Sequence, residues 1–233
     1  MKLELLSYGR DSKTPKGAAL GVATAVLYLT PSDVISAWIP KARTCFDETD
    51  ACKAHCVYKQ GRGAFNNVQK ARIRKTKEFF QHRESFLGRL DYDLRRFAEY
   101  CAKHKLTAAV RLNGTSDLPF ESFIEMRKYP TINFYDYTKS YKRAMRFARG
   151  EMPSNYDITF SLSESNYPQA YRLSKRGVKV AVVFANAPQT YFGNTPVIDG
   201  DASDARFLDP GGAVVGLTPK GSAKNDKSGF VVR

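Results

Sequence analysis

The sequence predicts an α/β protein: a parallel sheet of about six strands forming a partial or distorted (β/α) barrel. Three observations carry that expectation. Short apolar stretches of strand length alternate along the chain with segments of helical periodicity. Most of the strand candidates are near-continuous apolar runs, as strands covered on both faces are. Polar residues crowd just past each strand candidate, where parallel α/β folds hold their functional groups.

The first strand is expected over residues 22–30. It lies in an apolar stretch from Gly17 to Leu29 that follows Lys13 and Lys16 and so mimics a secretory leader. Glu4 and Asp11 stand in the would-be basic region, Thr24 and Thr30 interrupt the apolar run, and Pro31 and Asp33 occupy the place of a small-residue cleavage site. The stretch is also shorter than the roughly 18–20 residues a spanning helix needs. These features point to a cytoplasmic chain with reduced thiols and no membrane partner. Residues 1–21 are then an N-terminal arm, and residues 31–65 a Cys-bearing loop inserted into a single domain spanning 1–233.

Helices are expected at 66–80 and 83–104, the second with Phe86, Leu90, Leu94, Phe97 and Cys101 on one face. A strand follows at 107–112. A short helix is expected at 120–127, opening after Pro119. Strands at 131–135 and 157–162 flank a helix at 141–149. A helix at 168–175 stops at Gly177, and strands at 178–184 and 213–217 complete the sheet.

If these strands are parallel, the segments after them share one mouth. Cys45, Cys52 and Cys56 follow the first strand, and Arg111, Asn113 and Asp117 the second. Lys139 follows the third, Ser163 and Glu164 the fourth, Asp199, Asp201 and Asp204 the fifth, and Lys220 and Lys224 the sixth. The spacing C-x6-C-x3-C lets three thiolates converge on one metal or cluster from a single loop. An iron–sulfur cluster with an open iron, or zinc completed by a distant side chain, both fit it. Cys101, at the far end of the sheet, is expected to pack as an apolar thiol.

Charge points to a polyanionic partner. The chain of 233 residues carries 37 Lys and Arg against 23 Asp and Glu, a net +14. Lys59, Arg62, Lys70, Arg72, Arg74, Lys75 and Lys77 form a run with no acid, and Lys139, Lys142, Arg143, Arg146 and Arg149 form another. Such runs can track a phosphate backbone while Tyr58, Tyr137 and Tyr141 stack bases. No P-loop, no G-x-S-x-G elbow and no His-hydrophobic-His motif occurs. His55, His82 and His104 suggest no acid–base constellation.

Several segments together carry a resemblance. They are Cys45 to Tyr58, Gly61-Arg62-Gly63 with Asn66-Asn67-Val68, Arg111 to Asp117, Phe134 to Lys139, and Val215-Gly216-Leu217 through Lys220, Asp226 and Gly229 to Val231. In this order they resemble the phage "gene product 88"-like family, over most of the chain from about residue 12. That implies a phage or prophage origin. The three Cys after the first strand also make the chain similar to radical S-adenosylmethionine enzymes, whose partial barrels carry C-x3-C-x2-C. That resemblance implies S-adenosylmethionine beside the cluster, with Asn113, Asp117, Ser163 and Glu164 holding cofactor or substrate, Lys139 an anionic group, and Arg111 part of the same site.

Three functions follow as expectations. The first is a basic nucleic-acid-binding protein of DNA replication or processing. The second is an iron–sulfur enzyme modifying a nucleotide or nucleic acid. The third is a metal-dependent nuclease using Asp117, Glu164, Asp199, Asp201 and Asp204.

Overall fold

A computed structural model describes residues 1–9 and 19–233. Residues 10–18, which include Asp11, Lys13 and Lys16 and most of the expected N-terminal arm's centre, lie outside the described residues.

All six expected strands form, as β2 (Val22–Leu27), β3 (Thr107–Arg111), β4 (Ile132–Thr138), β5 (Tyr156–Ser161), β6 (Lys179–Phe184) and β9 (Val214–Leu217). Four more join them: β1 (Leu6–Tyr8), β7 (Thr190–Tyr191), β8 (Thr195–Asp199) and β10 (Val231–Val232). The ten-stranded sheet runs β1-β2-β3-β4-β5-β6-β9-β8-β7, with β10 also pairing to β6. Pairing is parallel except at the edges, where β1 meets β2 and β7 meets β8 antiparallel. The expected barrel does not close, since β1 and β7 end the strand order without pairing to each other. Each edge is finished by a strand of three or two residues, too short to offer a partner a continuous ladder.

The helices are α1 (Ser32–Ile35), α2 (Asp50–Ala54), α3 (Asn66–Gln81), α4 (Arg83–Lys103), α5 (Tyr141–Ala148) and α6 (Tyr167–Ser174). The Cys-bearing segment is therefore not bare loop. The helix expected at 120–127 is instead two short 3-10 turns, Phe120–Ser122 and Met126–Lys128, with Glu125 extended between them. Glu125, at φ −85° and ψ 90°, leaves the helical region and splits the segment. Gly177 does end its helix, at φ +80°, a conformation glycine adopts without strain.

Strand alternation divides the sheet into two unlike faces. Leu27, Val110, Phe134, Phe160 and Val182 point to the helices and join Phe79, Phe86, Leu94, Phe97 and Leu173 in one large core. Cys101 packs there too, as expected. On the opposite face Val22, Ala109 and Tyr135 meet Ala205 and Phe207. A loop rather than a helix layer thus fills this face near the strands' N-terminal ends, and a cleft opens toward their C-terminal ends.

The C-terminus is threaded into that end. Along β6, β5 pairs as far as Ser161 opposite Ala181, and β10 takes over with Val231 opposite Val183. The last residues of the chain therefore continue the ladder where β5 leaves it.

Candidate functional site

The cleft has a volume of about 790 Å³. Thr24, Val26 and Tyr28 line it from β2 and its continuation, Arg111 and residues 113–117 from β3, Tyr137 to Lys139 from β4, Ser161 and Leu162 from β5, and Ala181 and Val183 from β6. The cysteine segment and residues Lys220, Gly221 and Phe230 close its rim. Of the residues singled out in the sequence, Cys45, Cys52, Cys56, Arg62, Arg72, Arg111, Asn113, Asp117, Tyr137, Lys139, Asp204 and Lys220 meet here. Ser163 and Glu164 lie outside it.

The cysteines are held by backbone pairing and by Glu164. Cys45 bridges to Asp117 as a parallel pair, and the Asp117 N–H donates to the Thr44 carbonyl at 2.7 Å. Thr49 caps α2 by accepting from the Cys52 N–H, while its own hydroxyl donates to Glu164 at 2.9 Å. Glu164 also accepts the Ala51 N–H at 3.1 Å, so it anchors the cysteine helix instead of facing ligand. Burial, with Asp117 nearby, pushes the Cys45 thiol far above its usual range, and burial raises Cys56 as well. Among the described residues no group of three His, Cys, Asp or Glu side chains is placed to hold a metal ion.

Asn113 and Asp117 are parts of a buried polar network. Asn113 donates from its backbone to Asp136 at 2.7 Å and from Nδ2 to the Leu118 carbonyl at 2.9 Å, while its Oδ1 accepts from Ser116 and from the Leu118 N–H. Asp117 accepts from Thr138 Oγ1, from the Lys139 N–H and from Arg143 at 2.6 Å. Arg143 also forks onto Glu121 at 3.0 and 2.9 Å and reaches the Tyr156 hydroxyl, which donates to Asp136. Burial raises the Asp136 carboxyl to about 6, against the pull of Arg143 and Arg111. The loop after β3 is therefore clamped. Its Gly114 is required sterically, since a Cβ there would stand 2.5 Å from the Tyr28 ring.

Three of the five acids of the nuclease reading are paired with cations, while Glu164 holds α2 and Asp199 accepts the Asp201 N–H. Asp117 is engaged by Arg143, Asp204 by Arg111 at 3.2 Å, and Asp201 by Lys220 at 2.6 Å. Asp204 also accepts from the Tyr135 and Tyr137 hydroxyls. Burial opposes ionisation of Asp201, but Lys220 and the Thr218 N–H and hydroxyl outweigh it and lower the carboxyl to about 2.

The two basic runs also divide. Arg72 enters the cleft and lies 4.5 Å from the Tyr28 ring centroid and 5.5 Å from that of Tyr58. Lys59 pairs with Asp33, Lys75 donates to the Leu5 carbonyl, and Lys77 sits over Trp38. Lys70, Arg74 and Lys142 are exposed. Arg143 is buried in the network above, and Arg146 lies 3.9 Å from both Glu121 and Glu151. Sequence spacing hid Asp33, Asp117 and Glu121, which come from other elements, whereas Glu151 stands just past the second run.

One constellation was not legible in the sequence. His55 approaches Ser222 Oγ through Nδ1 at 2.9 Å and Asp226 Oδ1 through Nε2 at 3.0 Å. The partners are 167 and 171 positions away, which no motif spans.

The chain matches the Gene product 88 family over residues 5–233 and belongs to it. No curated protein and no solved structure matches the chain, so the second resemblance, to radical S-adenosylmethionine enzymes, gains no support. No described helix is long and apolar enough to cross a membrane.

Proposed function

We propose that this Gene product 88 protein is a phage-type nucleic-acid-binding protein, acting in DNA replication or processing in the cytoplasm of the bacterial host. Its cleft takes in an unpaired nucleotide or strand end. One observation carries this reading: three cation–ring pairs line a single cleft. Arg72 lies over Tyr28 at 4.5 Å, Arg111 over Tyr137 at 4.6 Å, and Lys139 beside Phe230 at 5.9 Å. A base stacks on a ring face while its phosphate meets the adjoining cation. The volume of about 790 Å³ suits a nucleotide-sized ligand. A sheet with helices on one face and a cleft on the other is the arrangement of an opened barrel, and we take the cleft as the counterpart of a barrel's mouth.

The test is fluorescence anisotropy with a labelled single-stranded oligonucleotide at several salt concentrations. Affinity should fall steeply with salt, and Lys139→Ala should weaken it about tenfold. Absence of binding at low salt would sink the reading. Matched DNA and RNA probes distinguish the two polymers.

A second reading keeps Cys45, Cys52 and Cys56 as a site for zinc or an iron–sulfur cluster, because all three line the same cleft. The described arrangement does not bring three donors together. Loading therefore requires the segment around α2 to shift. Elemental analysis of anaerobically purified protein decides it, and metal content that survives Cys45→Ala would exclude Cys45 as a ligand.

A further inference from the structure

We propose that Ser222, His55 and Asp226 form a nucleophile–base–acid triad at the rim of the cleft that transfers acyl groups from esters to water. This goes beyond the nucleic-acid reading and does not rest on it. Asp226 is nearly enclosed, its side chain 2% exposed against 13% for His55. Its carboxylate accepts from His55 Nε2 at 3.0 Å, from Ser228 Oγ at 2.7 Å and from the Val231 N–H at 3.1 Å. Burial opposes its ionisation, yet these donors hold it far below the usual carboxylate range.

The geometry sets the roles of the two ring nitrogens. A carboxylate accepts, so Nε2 donates to Asp226, and in the tautomer with its single hydrogen there Nδ1 presents its lone pair to Ser222. The 2.9 Å contact between Nδ1 and Ser222 Oγ is then a hydroxyl donating to imidazole. This is the ground state of a general base poised to activate an alcohol, with the third group fixing the base's tautomer. Either ring nitrogen can serve, since each proton-bearing nitrogen leaves the other as acceptor. The Phe230 ring, 5.8 Å from the imidazole, and the Gln60 amide on the His55 carbonyl at 3.0 Å hold the base in place.

Access is on the side the chemistry needs. Ser222 is exposed, in the 3-10 turn Gly221–Asn225, while His55, Lys220 and Gly221 line the cleft. The substrate class is an ester with an anionic portion, which Lys139, lining the cleft beside Phe230, would attract. Ser222 Oγ bonds to the carbonyl carbon as its proton passes to His55 Nδ1. The carbon–oxygen bond to the alcohol breaks, and the departing oxygen takes that proton. Water then attacks the acyl-serine, again through His55, releasing the acid and restoring Ser222.

The experiment is labelling of the full chain with a fluorophosphonate probe, read by gel fluorescence and peptide mapping. The expected result is a single adduct on Ser222, lost in Ser222→Ala and slowed about 100-fold in His55→Gln. Among the described residues the Ser222 hydroxyl bonds His55 alone, so Ser222→Ala leaves the fold intact and decides the matter even if His55→Gln unfolds. No adduct on the wild type under conditions that label a serine protease, or equal labelling of Ser222→Ala, overturns the proposal and leaves the three residues as a tie between the cysteine segment and the C-terminus. The probe contains no nucleic acid, so this failure is separate from loss of oligonucleotide binding.

Discussion

The basic stretches 59–77 and 139–149 read alike in sequence, both rich in Lys and Arg and both without an acid. In space they differ. The first sends Arg72 onto the Tyr28 and Tyr58 rings, Lys75 onto a carbonyl and Lys77 onto Trp38. The second gives Arg143 to Asp117 and Glu121 and places Arg146 between Glu121 and Glu151. A stretch free of acid along the chain is therefore not a surface free of acid. Asp117 and Glu121 arrive from segments brought alongside in the fold, and a cation's role depends on whether it meets a carboxylate or a ring.

The comparison breaks most visibly at Arg143. Arg143→Met leaves Asp117 and Glu121 buried without their partner, and urea unfolding should show a loss of about 3–5 kcal/mol. A loss well under 1 kcal/mol would mean that the second stretch is ordinary surface after all. At Arg72 the expected loss is smaller, because ring faces stay satisfied by packing when the cation goes. Arg72→Met should lower stability by about 1–2 kcal/mol and weaken oligonucleotide binding in the same assay. An unchanged affinity would remove the first stretch from the ligand's path.

Asp201 sharpens the contrast through pH. Its carboxyl is held at about 2 by Lys220 and Thr218 in the folded chain and is near 3.9 when unfolded. The ionised form thus favours folding. Its contribution is present above about pH 4 and fades as pH falls toward 2. Asp201→Asn should cost about 1 kcal/mol at pH 7, allowing for partial exposure, and the gap from wild type should close by about pH 2. A gap independent of pH would show that the Lys220 pair is not its source. The smallest effect belongs to Lys142, exposed beside the buried Arg143. Lys142→Ala should change stability by less than about 0.5 kcal/mol, and should reduce the salt slope of binding by about 1 only if the strand passes over α5.

Much of the frame was legible because its signals are local. Six apolar runs announced β2 to β6 and β9, and helical periodicity announced α3 and α4 within a residue or two. A parallel sheet then obliged the loops after β2, β3 and β4 to share an end, which is why Cys45, Arg111 and Lys139 do line one cleft. The same reasoning over-reached at Glu164. That residue follows a strand but turns to the N-terminus of α2, whose unpaired N–H groups attract a carboxylate. Four strands went unread: β1, β7 and β10, whose two or three residues carry no period to read, and the five-residue β8.

The sequence alone thus set the alternating elements, the polar end of the sheet, three thiols spaced closely along the chain and a strongly basic composition. Three-dimensional packing was needed to leave the sheet open, to pair Asp117 with Arg143 and to bring β10 in beside β6. By bringing the C-terminus there it also set Ser222 and Asp226 on either side of His55. The physical reason is range. Hydrophobic periodicity and capping act over a few residues, whereas charge pairing and proton sharing depend on distances that exist only once strands far apart in the chain have found their neighbours.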